Sequence, residues 1–491
     1  MRTPRVTIVG AGAGGLAAAT DLARSGLAVT VLERAAAPGG KIRQTAGIDA
    51  GPTVLTMKPV FDDLFAGAGS SLADHLTLHP ATLLARHAWS DSETLDLFAN
   101  TAQTADAIGA FAGPAEAAGY RSFVQRSKRM FQTLDKPFMR SPRPTALSLA
   151  AGSGISAMLG ISPFATLWNA LGEHFKDPRL RQLFGRYATY SGSSPFLAPA
   201  TLMLIAHVEQ QGVWLPEGGM IRLAAALAAL ASRKGAVLRM NAHVSEILVS
   251  GGRARGVVLG TGERIESDAV ICNADAAALA AGAFGHGAIP AVPAPKRAGR
   301  SQSGVTWALT ATASGFPLTR HNVFFSRDYR TEFADVFRDG HLPDEPTVYV
   351  CAQDRGEPGA EPDGTPERLL VLVNAPPTGD RHAFNPQEIE ACATRTFALL
   401  HRAGLSIDRR PEATAVTTPA DFEALYPATG GALYGQAVHG PMAAFRRPGS
   451  RSKIPGLYLA GGSVHPGPGV PMAVLSGRLA ASALLADLTS R

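Results

Sequence analysis

The strand-like run Arg5 to Val9 leads directly into Gly10-Ala11-Gly12-Ala13-Gly14-Gly15, then into an alanine-rich helix and a second apolar strand from Ala28 to Glu33. No other part of the chain restricts the fold as much. Gly10, Gly12 and Gly15 stand at the spacing of a dinucleotide-binding βαβ unit. There the first permits a tight turn, the second lets backbone approach a pyrophosphate, and the third lets the helix pack on its strand. The helix, read as Leu16 to Ser25, directs its N-terminal N–H groups at the phosphates. Glu33 ends the second strand where a carboxylate accepts hydrogen bonds from ribose hydroxyls, and its charge repels a 2′-phosphate. A lone glycine fingerprint is weak, with a plain turn as its structural alternative, but here strand, helix and acid all surround it. These residues predict an α/β fold opening on a βαβ unit, without separating NAD from FAD.

At 491 residues the chain exceeds one ordinary core, so two connected domains sharing one ligand are expected. Residues 236–272 read as short strands joined by glycine turns at Gly251-Gly252 and Gly260-Thr261-Gly262, as in hairpins and a meander. The C-terminal part returns to βα order, with a strand from Gly456 to Ala460, a Gly/Pro loop, and a helix from about Pro471 to Leu488. Segments of cofactor-binding character thus lie at the start, middle and end of the chain, which predicts discontinuous domains. The Pro- and Gly-rich stretches 288–295 and 355–366 read as loops of the second domain.

Three further segments carry chemistry. Pro38-Gly39-Gly40-Lys41-Ile42-Arg43, followed by Asp49-Ala50-Gly51-Pro52-Thr53, lets backbone pass close to a ligand, while Lys41 or Arg43 can supply positive charge. Leu215-Pro216-Glu217-Gly218-Gly219-Met220 precedes a helix and then Asn241-Ala242-His243-Val244. Last, Ala460-Gly461-Gly462-Ser463-Val464-His465-Pro466-Gly467-Pro468-Gly469-Val470-Pro471-Met472 is a strand end, a rigid loop and a helix start.

Together these motifs resemble the FAD oxidoreductases of the amine oxidase and carotenoid desaturase superfamily, over nearly the whole chain. The C-terminal loop looks most like the 1-hydroxycarotenoid 3,4-desaturase branch. The resemblance implies bound FAD, with Gly10, Gly12, Gly15, Glu33, Gly40, Lys41, Val244, Gly461, Gly462, Val470, Pro471 and Met472 as its binding residues. Val244 would pack by its backbone on the adenine, and the helix opened by Pro471 would face the flavin N1/C2 edge. Many flavoproteins carry an acid after the glycine that corresponds to Gly462; Ser463 stands there instead, which leaves the ribityl contact open. The expected architecture is a Rossmann-like FAD-binding domain (1–85, 212–285 and 420–491) with an inserted mixed α+β substrate and membrane-associating domain (86–211 and 286–419). Tyr190-Ser191-Gly192 and Gly430 to Gly435 also resemble family segments, near the substrate channel or as plain turns and core aromatics. No catalytic residue is assigned. His465 is the one candidate base, against its alternative as a structural hydrogen-bonder.

The implied reaction is desaturation of an acyclic carotenoid, C3–C4 dehydrogenation of a 1-hydroxy or 1-methoxy compound such as 1-hydroxyneurosporene, with hydride passing to the flavin. A phytoene desaturase, a flavin-dependent isomerase or saturase, an amine or porphyrinogen oxidase and a silent lipid-binding module are the alternatives. Quinone or oxygen is the expected electron acceptor. No GxSxG, HExxH, Walker loop or cysteine cluster suggests hydrolysis, phosphoryl transfer or a metal. The charge of +6 is scattered, without the basic and aromatic face of a nucleic-acid binder. Hydrophobic residues make up 46% of the chain, and no charge falls between Pro144 and Gly172, where glycines and Pro163 argue for a surface-dipping segment over a span. Just before it, Arg121, Arg126, Lys128, Arg129, Lys136, Arg140 and Arg143 face one acid, Asp135, with Phe123, Phe131 and Phe138 between them. This cluster suits either anionic lipid or a solvated helix face. The N-terminus leaves no room for an export signal, so the expected location is cytoplasmic, peripheral on the inner membrane.

Overall fold

A computed structural model describes residues 2–490 except 143, 146–148, 150–159, 163, 294–298 and 357–363. Five parallel strands form the first sheet, in the order Val237–Arg239, Ala28–Leu32, Arg5–Val9, Ala269–Cys272, Leu457–Leu459. Its strands are apolar on both faces because both are covered, as parallel sheets require. Val6, Ile8, Val29, Val31 and Ile271 point to one side, into a core with helices Ala13–Arg24, Ile221–Arg233 and Val470–Thr489. Val9, Leu32, Val270, Cys272 and Leu459 point to the other, against a three-stranded antiparallel sheet of Val244–Ser250, Arg253–Leu259 and Arg264–Glu266.

The expected meander over 236–272 is therefore divided. Its middle three strands form the antiparallel sheet, with turns at both predicted glycine sites, whereas Val237–Arg239 and Ala269–Cys272 join the parallel sheet. Ala269–Cys272 is buried at every position, the mark of a strand covered on both faces. The first helix begins at Ala13, so Gly14 and Gly15 lie inside its first turn.

The second sheet has seven strands, ordered Thr414–Thr417, Ser303–Ala311, Glu367–Ala375, Val348–Ala352, His321–Phe324, Leu83–Ala88, Thr94–Phe98. All its pairs are antiparallel except His321–Phe324 with Leu83–Ala88. The boundary expected after residue 85 falls inside the last-named strand. Side-chain alternation divides the faces: Leu369, Val371 and Val373 pack under helix Pro386–Arg402, while Leu370, Leu372 and Asn374 face an internal cavity. Helices Pro114–Leu134, Pro178–Gly185 and Leu204–Gln210 close the cavity from the opposite side.

Of the uncharged stretch 144–172, residues 146–148, 150–159 and 163 lie outside the described residues, as does Arg143, and so do parts of the two expected loops. Within the basic cluster, Phe123 and Phe131 are core residues, and Phe138 packs edge-on against His465 and Phe445. Arg126 pairs with Glu173, and Arg140 with Asp135 and more distantly Asp63. Lys128, Arg129 and Lys136 are exposed. Helix Val470–Thr489 is long and apolar enough to cross a membrane, but it packs into the core beside Ala13–Arg24.

The first and last helices cross with backbone nearly touching: a Cβ on Gly477 would lie 2.0 Å from the Gly14 carbonyl oxygen. Helix propensity alone says that Gly477→Ala stabilises by about 1 kcal/mol. The contact reverses the sign, and we expect a destabilisation of about 1–3 kcal/mol from overpacking. Thermal unfolding of the variant decides between the two; a raised midpoint would contradict the crossing.

Candidate functional site

All five strands of the parallel sheet end at one cavity of about 800 Å³. Gly10 follows the first, Glu33 the second, Ala242 to Val244 the Val237–Arg239 strand, Asn273 the fourth and Gly461 the last. Ligands of open α/β sheets bind at these carboxyl ends because the loops there converge. Of the residues expected to hold a cofactor, Gly10, Gly12, Glu33, Gly40, Lys41, Val244, Gly461, Gly462, Val470, Pro471 and Met472 line this cavity. Gly15 lies behind it, where a Cβ would come within 2.1 Å of the Gly10 carbonyl oxygen, so its place is in helix-on-strand packing.

Two helices start at the cavity wall, after Gly12 and after Gly469, and neither has a side-chain cap. Their first-turn N–H groups are thus left for a ligand, and each helix end favours negative charge. A diphosphate at one and the electron-accepting edge of a flavin at the other are charges of this kind, so the residues present fit FAD. Glu33 is buried, and its carboxylate accepts hydrogen bonds from the N–H groups of Ala11 (2.7 Å) and Ala35 (2.9 Å). The acid therefore also holds the glycine loop in shape.

Lys41 donates to the Leu433 carbonyl and lies over the Tyr426 ring. Burial pushes its pKa down; the Asp275 charge opposes this and Arg447 adds to it. It is thereby held against the 426–433 segment. Arg43 bonds Thr45 and covers the Phe422 ring.

Sequence reasoning missed three residues here. Asn273 donates to the Gly10 carbonyl at 3.3 Å, while its Oδ1 is buried without a partner among the described residues. Asp275 caps helix Ala276–Ala280 and lines the cavity. Two polar residues, Asn273 and Asp275, directly after a fully apolar strand were the available signal. Arg447, also on the wall, donates to the carbonyls of Tyr434, Gln436 and Gly462 and so clamps the C-terminal loop. Burial lowers its pKa to about 10, against the pull of Asp275. Nothing local in the sequence marks this arginine, since its partners are backbone atoms. Ser463, at the position where an acid was expected, accepts a hydrogen bond from the Ala276 N–H.

His465 is not in the cavity wall. Its Nε2 lies 3.0 Å from the carbonyls of both Phe138 and Ser141, so that nitrogen carries the proton and donates. The imidazole joins two segments and is not a base facing the cavity; its candidacy for catalysis is withdrawn. The two family-like segments do meet: a Cβ on Gly192 would lie 2.5 Å from the Tyr434 ring, and Tyr190, Ser191, Leu433 and Tyr434 line the cavity.

Away from the glycine loops the wall becomes mostly aliphatic and aromatic, with Leu84, Leu97, Leu183 and Ile205 among its residues. His87 and His321 on this wall are neutral at physiological pH. Burial drives both pKa values down to about 3, helped by Arg186 and, for His321, Arg320.

Residues 13–485 match the family described as flavin containing amine oxidoreductase. The chain is 52% identical to a protein named hydroxyneurosporene desaturase from Rubrivivax gelatinosus, over 100% of this chain and 95% of that one. It is 48% identical to a hydroxyneurosporene desaturase from Cereibacter sphaeroides, over 99% of each. Among solved structures, an oxidoreductase from Methanosarcina mazei aligns with a TM-score of 0.60 at 16% identity, covering 98% of this chain and 100% of that one. The last likeness bears on the fold alone.

Two variants test the glycine and acid positions. Gly12→Val is expected to purify without flavin, because its side chain fills the space against Asn273 and Gly40. Glu33→Gln turns an amide N–H₂ toward one of the two backbone donors. A charge-assisted bond is worth about 1.5–3 kcal/mol, so flavin affinity is expected to fall at least about tenfold. Flavin absorbance per protein after gel filtration reads both, and full retention in either would remove that residue from the site.

Proposed function

The chain belongs to the flavin containing amine oxidoreductase family, and from that membership we propose that it is an FAD-dependent desaturase acting at C3–C4 of a 1-hydroxy acyclic carotenoid. One observation carries the reading: a single cavity runs from the glycine loops and helix N-termini into an apolar wall long enough to include residues of both sheets and the helical layer. The substrate class follows from the hydroxyneurosporene desaturases to which the whole chain is similar.

Making a double bond from a CH–CH pair removes the equivalent of a hydride and a proton, and bound flavin accepts the hydride equivalent. The protein's part is positioning. Apolar side chains from the second sheet and the helical layer hold the polyene in line with the cofactor end of the cavity, and Arg447 holds the C-terminal loop beneath it. Residues 1–85, 212–285 and 420–491 serve the cofactor in this proposal, and 86–211 with 286–419 the substrate. Gly10, Gly12, Glu33, Gly40, Lys41, Val244, Gly461, Gly462, Val470, Pro471 and Met472 contact FAD, and the electrons pass on to quinone or oxygen.

The test is anaerobic incubation in liposomes with 1-hydroxyneurosporene and phytoene side by side. We expect faster flavin bleaching with the hydroxylated substrate and a product lighter by two hydrogens. Faster turnover of phytoene would move the protein to another branch, and a product of unchanged mass would make it an isomerase.

The protein is further proposed to lie on the cytoplasmic face of the inner membrane, held by the exposed Lys128, Arg129 and Lys136 and the adjoining uncharged stretch. Basic residues near an anionic surface contribute about 1 kcal/mol each and are screened by salt. Washing membranes with salt or mild detergent should therefore release it. Resistance to both, or indifference to anionic liposomes, would refute peripheral docking.

A further inference from the structure

The cavity wall contains a polar island. Arg186 donates to the Tyr190 hydroxyl at 3.1 Å, and its guanidinium covers the rings of Tyr190 and Tyr349 at 5.3 and 5.4 Å. The Tyr349 hydroxyl lies 2.8 Å from His321 Nδ1 and 2.8 Å from Thr53 Oγ1. These contacts fix the His321 ring and leave its other nitrogen, Nε2, buried and without a hydrogen-bond partner among the described residues. The Tyr329 hydroxyl, also within the electrostatic reach of Arg186, is orphaned in the same way. His321 and Tyr329 are only 5% and 6% exposed, and both line the cavity. Buried polar groups are rarely left unpaired, because each unmet group costs free energy.

The island lies at the cofactor end. Thr53 belongs to the glycine-rich segment that walls the nucleotide loops, and Arg186 acts electrostatically on Tyr434, whose carbonyl shares the Arg447 clamp with Gly462. This is where a 1-hydroxy substrate would present its oxygen. The oxygen is three bonds from C3, so with bonds of about 1.5 Å it stays within roughly 4 Å of the carbon being oxidised. Any site for that hydroxyl must sit beside the reacting bond.

We propose that His321 Nε2 and the Tyr329 hydroxyl form the subsite for the tertiary hydroxyl of the substrate, with Arg186 and Tyr349 as positioning residues. A hydroxyl both donates and accepts, as does the Tyr329 hydroxyl, while Nε2 does one or the other according to the tautomer; the two protein groups are satisfied in either case. A hydrocarbon end leaves both unmet, so the site discriminates against it. This rests on the reading of the chain as a hydroxycarotenoid desaturase.

The deciding experiment measures binding without turnover. Holoenzyme with its flavin photoreduced anaerobically is mixed with liposomes carrying 1-hydroxyneurosporene or neurosporene, and bound polyene is read by absorption per bound flavin. Wild type should prefer the hydroxylated polyene. Tyr329→Phe, which removes one oxygen, should reduce that preference about tenfold. It should do so by weakening 1-hydroxyneurosporene binding while neurosporene binding holds or improves, a split that a merely structural role would not give. His321→Gln should shift the preference in the same direction. A wild-type preference that both variants retain would overturn the subsite and leave the desaturase reading standing. A wild type with no preference would remove the hydroxylated substrate itself, and the subsite with it.

Discussion

Backbone contact between the two ends of the chain is the constraint on which the site depends. Gly14 lies in the first turn of the first helix and Gly477 in the middle of the last, and the absence of side chains at both lets these helices cross at carbonyl distance. A Cβ on Gly14 would also come within 2.9 Å of the Ala473 carbonyl oxygen. The crossing brings two uncapped helix N-termini to one cavity, and the fields they set up there favour electron density and negative charge. Strand Ala269–Cys272, from the middle of the chain, completes the sheet between Arg5–Val9 and Leu457–Leu459, so the cofactor end is assembled from three segments remote in sequence.

Burial makes charge expensive around this cavity, and the protein answers with backbone carbonyls. Arg447 is held by three, and Lys41 by one, with Asp275 the acid that acts on both. Donating to several carbonyls also orders the chain that supplies them, which is how Arg447 joins Gly462 to Tyr434 and Gln436. At the other end, the alternation of the Glu367–Ala375 strand separates a dry core from a tunnel wall, so a single strand contributes to stability on one face and to substrate shape on the other.

Legibility followed the range of the interactions. The fingerprint glycines, Glu33 and the loop from Gly461 to Met472 were readable because a turn, a helix start and a strand end are set by residues within a few positions of one another. The extent of the 236–272 meander was misjudged because alternation does not distinguish a strand that joins a neighbouring hairpin from one inserted into a distant parallel sheet. His465 looked like a base from its place in a Gly/Pro loop, but its proton is shared between carbonyls more than 300 positions away. Phe123 and Phe131 read as partners of a basic surface and proved to face inward, because the helix presents opposite faces to core and solvent.

By itself, then, the sequence determined the cofactor class, the βαβ opening and the family, all of which rest on short-range spacing and backbone freedom. Tertiary structure alone decided which side chains share the cavity. Arg447 and the Arg186 island carry no local pattern, since their partners are backbone atoms or side chains supplied by other elements. An unpaired hydroxyl or imidazole nitrogen becomes informative only once burial has removed the water that would otherwise satisfy it. That burial belongs to the packed chain, so the identity of the groups awaiting a substrate was a property of the fold.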